Sequence, residues 1–369
     1  MLSTSGVYTY NTPESRIIID NAYRRIGIDP AKITQQQVIA AQEFGNIALQ
    51  SWPNRGINLW LRRTAMITLI PYQYMYQLPL YTSSVREVTR RTSVRDVTPT
   101  GIPFSTPITG GVAANAFDGD PATACTQTAP NGYIGYQWPI IPSLVPIPLQ
   151  PQNTGAQIIT LVGVTSQVSA DYTLSFQYSQ DGMTWTTALA TPTQAYTAGL
   201  IQWFEIMMPA FAFYFQAIET GGATLNIQEL YFNNQVRDVP LTGISESEYM
   251  RYPNKSFPNA SAPSNFFVDR QINPTIYLYP APSSQYNNLF FSYQQQIQDM
   301  GQMTNYVQIP ARFINALTAE IAYYVSFKEA PDKTAMLEAD LTRQVKLAHN
   351  EDRERVPLKM VGNYQQGGY

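Results

Sequence analysis

The strongest constraint on this chain is a block running from Thr98 to Val236 without a single Lys, Arg or His. Seven acids occupy it: Asp118, Asp120, Asp171, Asp181, Glu205, Glu219 and Glu229. All 23 basic residues lie outside, against 19 of the 26 acidic ones. A break this sharp marks a segment with a separate history. The edges of the block support an insertion. Val94-Arg95-Asp96-Val97-Thr98-Pro99-Thr100-Gly101-Ile102 returns as Val236-Arg237-Asp238-Val239-Pro240-Leu241-Thr242-Gly243-Ile244, with seven of nine positions matching, 142 residues apart. A solenoid would repeat a short unit many times. Two copies around one foreign block mark a duplicated junction; chance similarity of two strand ends is the alternative. On the insertion reading, 1–97 and 236–369 form one discontinuous domain and 98–235 an inserted one, with the chain leaving and returning at nearby points.

The scarce residues narrow the function. A length of 369 residues suggests two or three domains. Only 13% of residues are charged, but 44% are hydrophobic, enough to fold. No apolar run approaches the roughly 18 residues of a membrane span, and the N-terminus lacks a basic and then apolar leader. The lone Cys125 excludes intrachain disulfides and multi-cysteine zinc sites. The lone His349, in a charged helix end, is a poor base for a Ser or Cys hydrolase. No phosphate loop and no dinucleotide fingerprint is present. The chain is therefore expected to bind or build rather than catalyse, with no catalytic residue and no organic cofactor.

In the outer segments, Thr12 and Pro13 open a helix over 13–26 that Gly27 stops, with Ile18, Ala22 and Ile26 on one face. Thr34 and Gln37 form a capping box for a helix over 35–52, striped by Val38, Ala41, Gly45, Ala48 and Trp52. A third helix is predicted over 54–69. Strands follow at 71–79, 84–89, 265–269, 274–280 and 288–293, by alternation. Helices over 310–328, with Phe313, Leu317, Ile321, Tyr324 and Phe327 inward, and 331–354, with Leu337, Leu341, Val345 and Ala348 on one face, complete the domain.

The wording of these elements resembles the head-to-tail adaptor (head-completion, DNA-stabilisation) proteins of short-tailed phages. The residues that carry it are Asn58-Leu59-Trp60, Tyr76-Gln77-Leu78-Pro79, Ile244-Ser245-Glu246-Ser247-Glu248-Tyr249 with Pro253-Asn254-Lys255-Ser256, Tyr277-Leu278-Tyr279-Pro280-Ala281-Pro282 and Ile309-Pro310-Ala311-Arg312-Phe313. The segment 258–264 departs from the usual Gly-x-Pro turn. The resemblance implies a virion protein, assembled in the host cytoplasm, that forms a ring of twelve copies under the portal. It would join the portal to tail nozzle or tail tubular proteins and help retain packaged DNA. The outer domain would be a helical bundle with a small antiparallel β-barrel or sheet. Val356, Leu358, Met360, Val361, Tyr364 and Tyr369, in a C-terminal stretch without helical period, are expected to order on a partner. By the resemblance that partner is the portal. Arg24, Arg25, Arg62, Arg63, Arg90 and Arg91 are candidates for weak, non-specific DNA contact, or for solvated faces.

The block itself alternates polar and apolar residues between turn signals, which predicts an all-β jelly-roll sandwich. The whole chain is then α+β and multidomain. Asn115-Ala116-Phe117-Asp118-Gly119-Asp120-Pro121-Ala122-Thr123, Gly132-Tyr133-Ile134-Gly135-Tyr136-Gln137-Trp138, the run from Phe176 to Trp185 and the run from Leu225 to Phe232 resemble a discoidin (coagulation-factor C-type) domain, also used as a carbohydrate-binding module. The Asp-Gly-Asp-x-x-Thr loop gathers hard oxygen donors suited to Ca²⁺. The resemblance implies a structural calcium on Asp118, Asp120, Thr123 and Glu229; a loop held by hydrogen bonds alone is the alternative. Tyr178, Trp185 and Trp138 are expected in the core. Glycan binding is the second functional reading, a carbohydrate-binding adhesin, although the block lacks the basic side chains such modules present and has Phe213-Tyr214-Phe215 where an Arg-containing strand is usual.

Overall fold

The structure, a computed structural model, describes residues 13–57, 59–98, 101–106, 108–127, 130–139, 155–255 and 262–352. It is mixed α and β, and its residues gather into two compact units, Met1–Arg63 with Tyr81–Ser84 and Tyr293–Tyr369, and Thr64–Leu80 with Val85–Ser292. Among the described residues no helix is long and apolar enough to cross a membrane.

The first unit holds four long helices, α1 (Ser15–Ile26), α2 (Gln35–Ser51), α3 (Ile314–Glu329) and α4 (Thr334–Glu351). Gly27 ends α1 at φ 88°, a conformation that suits glycine. Thr12 lies outside the described residues, and the N-cap is Glu14. The capping box of α2 forms as read: Gln37 N–H donates to Thr34 Oγ1, and Thr34 N–H donates to Gln37 Oε1. The striped residues of α1 and α2 are buried against Phe313, Leu317 and Ile321. Trp52 Nε1 donates to the fully buried Glu320 at 2.8 Å, and Arg55 pairs with that carboxylate at 2.9 Å.

Two helical expectations fail. Residues 54–69 do not form a helix. Two 3-10 turns, Pro53–Arg55 and Leu59–Leu61, lead into a strand, Arg62–Thr68. Gly56 at φ 80° breaks the helical path, and Thr64, Ile67 and Thr68 are β-branched residues that suit a pleated edge. Phe327 is 56% exposed rather than inward. The buried stripe of α3 advances by four residues, from Leu317 through Ile321 to Val325, and leaves Phe327 off the face.

The second unit is built of sheets. Five strands run in the order Thr186–Ala190, Leu174–Ser179, Tyr214–Glu219, Tyr133–Gln137, Ile102–Ser105. An eight-stranded sheet contains Thr82–Asp96, Leu225–Pro240 and Leu161–Ser166. Between these sheets lies a core that includes Trp138, Phe176, Phe215 and Phe232. Cys125 is buried there as a free thiol. A four-stranded sheet joins Thr242–Gly243, Asn265–Asp269, Thr275–Tyr279 and Met75–Gln77. The strand expected over 71–79 shrinks to Met75–Gln77, since Tyr72 takes φ 68° and cannot stay extended.

The strand Leu225–Pro240 is the hinge of this arrangement. Its first half pairs with Leu161–Ser166, and its second half with Thr82–Asp96, in a register that opposes Asp96 to Asn233 and Arg90 to Val239. The chain thus departs into the block and returns from it on neighbouring strands. Because one strand runs through both regions, the expected boundaries near 98 and 235 fall inside a single compact unit. Trp203 Nε1 also donates to Gln285 O at 3.0 Å, and Met66 and Val236 pack on the cluster of Leu161, Ile201 and Trp203.

Candidate functional site

The Asp-Gly-Asp loop is shaped by its own carboxylates. Asp118 accepts from Asp120 N–H at 2.9 Å and from Thr123 Oγ1 at 2.9 Å, and Asp120 accepts from Ala122 N–H at 2.9 Å. Gly119 adopts φ 73° with open space where a Cβ would stand, so the backbone angle and not crowding selects glycine. Glu229 reaches the loop from the strand Leu225–Pro240 and is only 5% exposed. Its Oε1 is buried without a hydrogen-bond partner. Burial first, then the charge of Asp118, pushes the Glu229 carboxyl up to about 7. The structure thus brings Asp118, Thr123 and Glu229 together, and the charge of Asp120, whose Oδ1 accepts within its own loop, also bears on Glu229. Among the described residues no three His, Cys, Asp or Glu side chains form a group able to hold a metal ion. An orphaned carboxylate oxygen facing an acidic loop with a hydroxyl and backbone oxygens is nonetheless a donor set that fits a hard cation such as Ca²⁺.

The aromatic residues divide between inside and outside. Trp138 is fully buried and donates its Nε1–H to Val97 O at 2.9 Å. Tyr178 packs half-buried on the same core. Trp185 does not enter it. It lies half-buried beside Phe104 and Tyr214, with ring centroids 6.1 and 6.4 Å away. A tight turn delivers it: Asp181 accepts from Met183 N–H and Thr184 N–H at 2.8 Å each. These bonds hold the Asp181 carboxyl well below the usual carboxylate range.

Strand register explains the assembly. Phe104 opposes Gly135, Gly135 opposes Gln216, Gln216 opposes Gln177, and Tyr214 opposes Gln137. These residues alternate with core residues such as Tyr136 and Phe215, so they share the outer face of the five-stranded sheet. A Cβ on Gly135 would stand 2.5 Å from the Phe104 ring, so only glycine lets that ring lie across the strand. Gln137 Nε2 donates to Tyr214 Oη and Gln216 Nε2 to Gln177 Oε1, both at 3.0 Å; Gln216 Oε1 is buried without a partner. Sequence reading missed Phe104 and Tyr214 as a pair, although the alternation in Phe213-Tyr214-Phe215 already sets Tyr214 opposite in facing to its neighbours.

The remaining candidates are dispersed. Arg25 pairs with Asp340 at 2.9 Å, and Arg91 is bound by Asp238 and Glu205. Val356, Leu358, Met360, Val361, Tyr364 and Tyr369 lie outside the described residues.

No family model matches the chain, and no curated protein matches it. Solved structures do. The CBM32 of AlyQ in complex with 4,5-unsaturated mannuronic acid is 13% identical with a TM-score of 0.30, over 39% of this chain and 98% of that one. A chitosan-binding module from a Paenibacillus chitosanase/glucanase is 18% identical with a TM-score of 0.30, over 37% and 98%. The family 32 module of Clostridium perfringens NanJ in complex with galactose is 14% identical with a TM-score of 0.29, over 40% and 99%. These neighbours are carbohydrate-binding modules; likeness at this level carries no argument about the ligand of this chain.

Proposed function

We propose that this chain is a carbohydrate-binding protein, not an enzyme, and that it binds through the outer face of the five-stranded sheet. The observation that carries the reading is the grouping of partly buried Phe104, Tyr133, Trp185 and Tyr214 with Gln137 and Gln177 on one face. Aromatic rings offer apolar area to the C–H faces of a sugar, and amides offer both donors and acceptors to its hydroxyls. The block holds no cationic side chain, which favours a neutral sugar over an acidic one. A Ca²⁺ held by Asp118, Asp120, Thr123 and Glu229 would brace a neighbouring loop and take no part in contact with the sugar. Titration with a panel of neutral oligosaccharides, followed by calorimetry on the binders, tests the reading. Trp185→Ala and Tyr214→Ala should each weaken binding at least about tenfold, the loss expected for one aromatic contact. Absence of any sugar-dependent signal overturns it.

The adaptor reading keeps one favouring observation: Ile39 and Ile47 on α2, Phe327 on α3 and Met336 on α4 are exposed apolar residues on the helical unit. Single exposed apolar residues are common, and on this reading these four would face the partner. On that reading the chain is a portal-binding ring component of a virion, and its terminal residues 356–369 engage the portal. Co-elution with purified portal, lost on truncation after Arg355, tests it; a truncated chain that still co-elutes removes the tail from the mechanism.

A further inference from the structure

The strand Thr82–Asp96 carries Arg90 and Arg91 in succession, so their side chains leave on opposite faces. Arg91 is fully met. Its Nε and Nη2 donate to Asp238 at 2.8 Å each, its Nη1 donates to Glu205 at 2.6 Å, and its guanidinium lies 4.0 Å from the centre of the Phe290 ring. Arg90 is not met. It opposes Val239, and Arg237 opposes Thr92, which makes Arg90 and Arg237 diagonal neighbours on one face of two paired strands. Asp238, next in sequence to Arg237, points to the other face and is taken by Arg91. Arg90 Nε is buried and has no hydrogen-bond partner, while Arg237 is exposed. Burial first, and then the charge of Arg237, depresses the Arg90 guanidinium below its ordinary range. Two like charges side by side, one of them half out of water, cost free energy, and among the described residues no carboxylate bonds to either guanidinium.

We propose that Arg90 and Arg237 form an oxyanion site that takes a phosphate or sulfate group between the two guanidiniums. Arg90 would donate its orphaned Nε–H from the inner side, and Arg237 would close from solvent. A tetrahedral oxyanion supplies several acceptor oxygens for such a pair, and charge-assisted bonds of this kind are the strong ones. A cation is repelled here, and a neutral sugar leaves both charges uncompensated. The anion can come free in solution or as the phosphodiester of a nucleic acid, and the test separates these sources. The site lies apart from the aromatic face and does not depend on sugar binding.

The full chain is melted in increasing inorganic phosphate, with ionic strength held constant by chloride, beside Arg90→Gln and Arg237→Gln. A short DNA duplex is titrated separately by fluorescence anisotropy. Arg237 is exposed, so Arg237→Gln keeps the fold readable even where Arg90→Gln does not. The expected result is a phosphate-dependent rise in melting temperature for the unchanged chain, with apparent affinity at least about tenfold weaker in each variant. Without phosphate, Arg237→Gln should melt at the same temperature or higher, because a repulsion has gone. Duplex binding that Arg237→Gln abolishes, without response to inorganic phosphate, assigns the site to phosphodiester. No response to either anion, or a response that Arg237→Gln leaves unchanged, overturns the proposal. A marked loss of anion-free stability in Arg237→Gln overturns it too, since the guanidinium would then already be compensated within the fold.

Discussion

Arg91 is the charged residue that ties together two acidic strands of the second unit, and its removal should destabilise that unit. Its side chain is 9% exposed, and it holds two carboxylates from different strands, Asp238 at 38% and Glu205 at 30% exposure. Arg91→Ala would leave both acids without their counter-ion and strip the Phe290 ring of its stacked guanidinium. Breaking a fully buried pair from one side costs about 3–5 kcal/mol. Both acids here keep partial access to water, which reduces that figure to about 2–3 kcal/mol, including about 0.5–1 kcal/mol for the lost ring contact. In a unit of this size that corresponds to a fall of roughly 4–12 °C in melting temperature. Arg91→Lys keeps the charge but cannot make the two-pronged bond to Asp238, so it should recover less than half of the loss. Urea unfolding followed by tryptophan fluorescence reads the change, and a cycle with Asp238→Asn should show coupling above about 1 kcal/mol. An Arg91→Ala chain that melts within a degree of the unchanged one, or additive effects in the cycle, would refute this account.

Three further outcomes follow from the same geometry. In calcium-free buffer, Glu229 binds its proton more tightly in the fold than in the unfolded chain, because its carboxyl is pushed up to about 7. Stability should therefore be full at low pH, near and below the ordinary carboxylate range, and should fall as pH rises toward 7; Glu229→Gln should flatten the profile. Added Ca²⁺ should raise the melting temperature at pH 8 more than at pH 5, and not at all in Glu229→Gln; equal shifts in both chains would exclude the metal there. Gly135→Ala places a Cβ 2.5 Å from the Phe104 ring and 2.7 Å from Phe215 O, and should cost about 1–3 kcal/mol by chemical denaturation. Deletion of 98–232 removes Glu205 from Arg91, Trp203 from Gln285 and the cluster on which Met66 packs, so the shortened chain should melt lower, measured by calorimetry, even if it stays soluble.

Much of this protein was legible in its residues. The stop of α1 at Gly27, the capping box of α2 and the buried stripes of both helices follow from local rules, because capping and amphipathic spacing act within a few residues. The β character of 98–235 and the closeness of its two junctions followed from alternation and a near-repeat. Residues 54–69 could not be told apart in the same way. A short apolar pattern fits helix or strand equally, and pairing with a distant strand decided it. The Asp118 loop was visible as a string of oxygen donors, yet only the fold shows that Glu229 arrives there with an orphaned oxygen. Trp185 looked like core because it is large and apolar, and the turn at Asp181 sends it to the outer face instead. Adjacent arginines, Arg90 and Arg91, are indistinguishable in sequence. Pleating places them on opposite faces, and the register of one long strand gives one of them both acids and leaves the other beside Arg237. Local chemistry is written in neighbouring residues; which distant charges meet is set by strand register, which only the folded chain possesses.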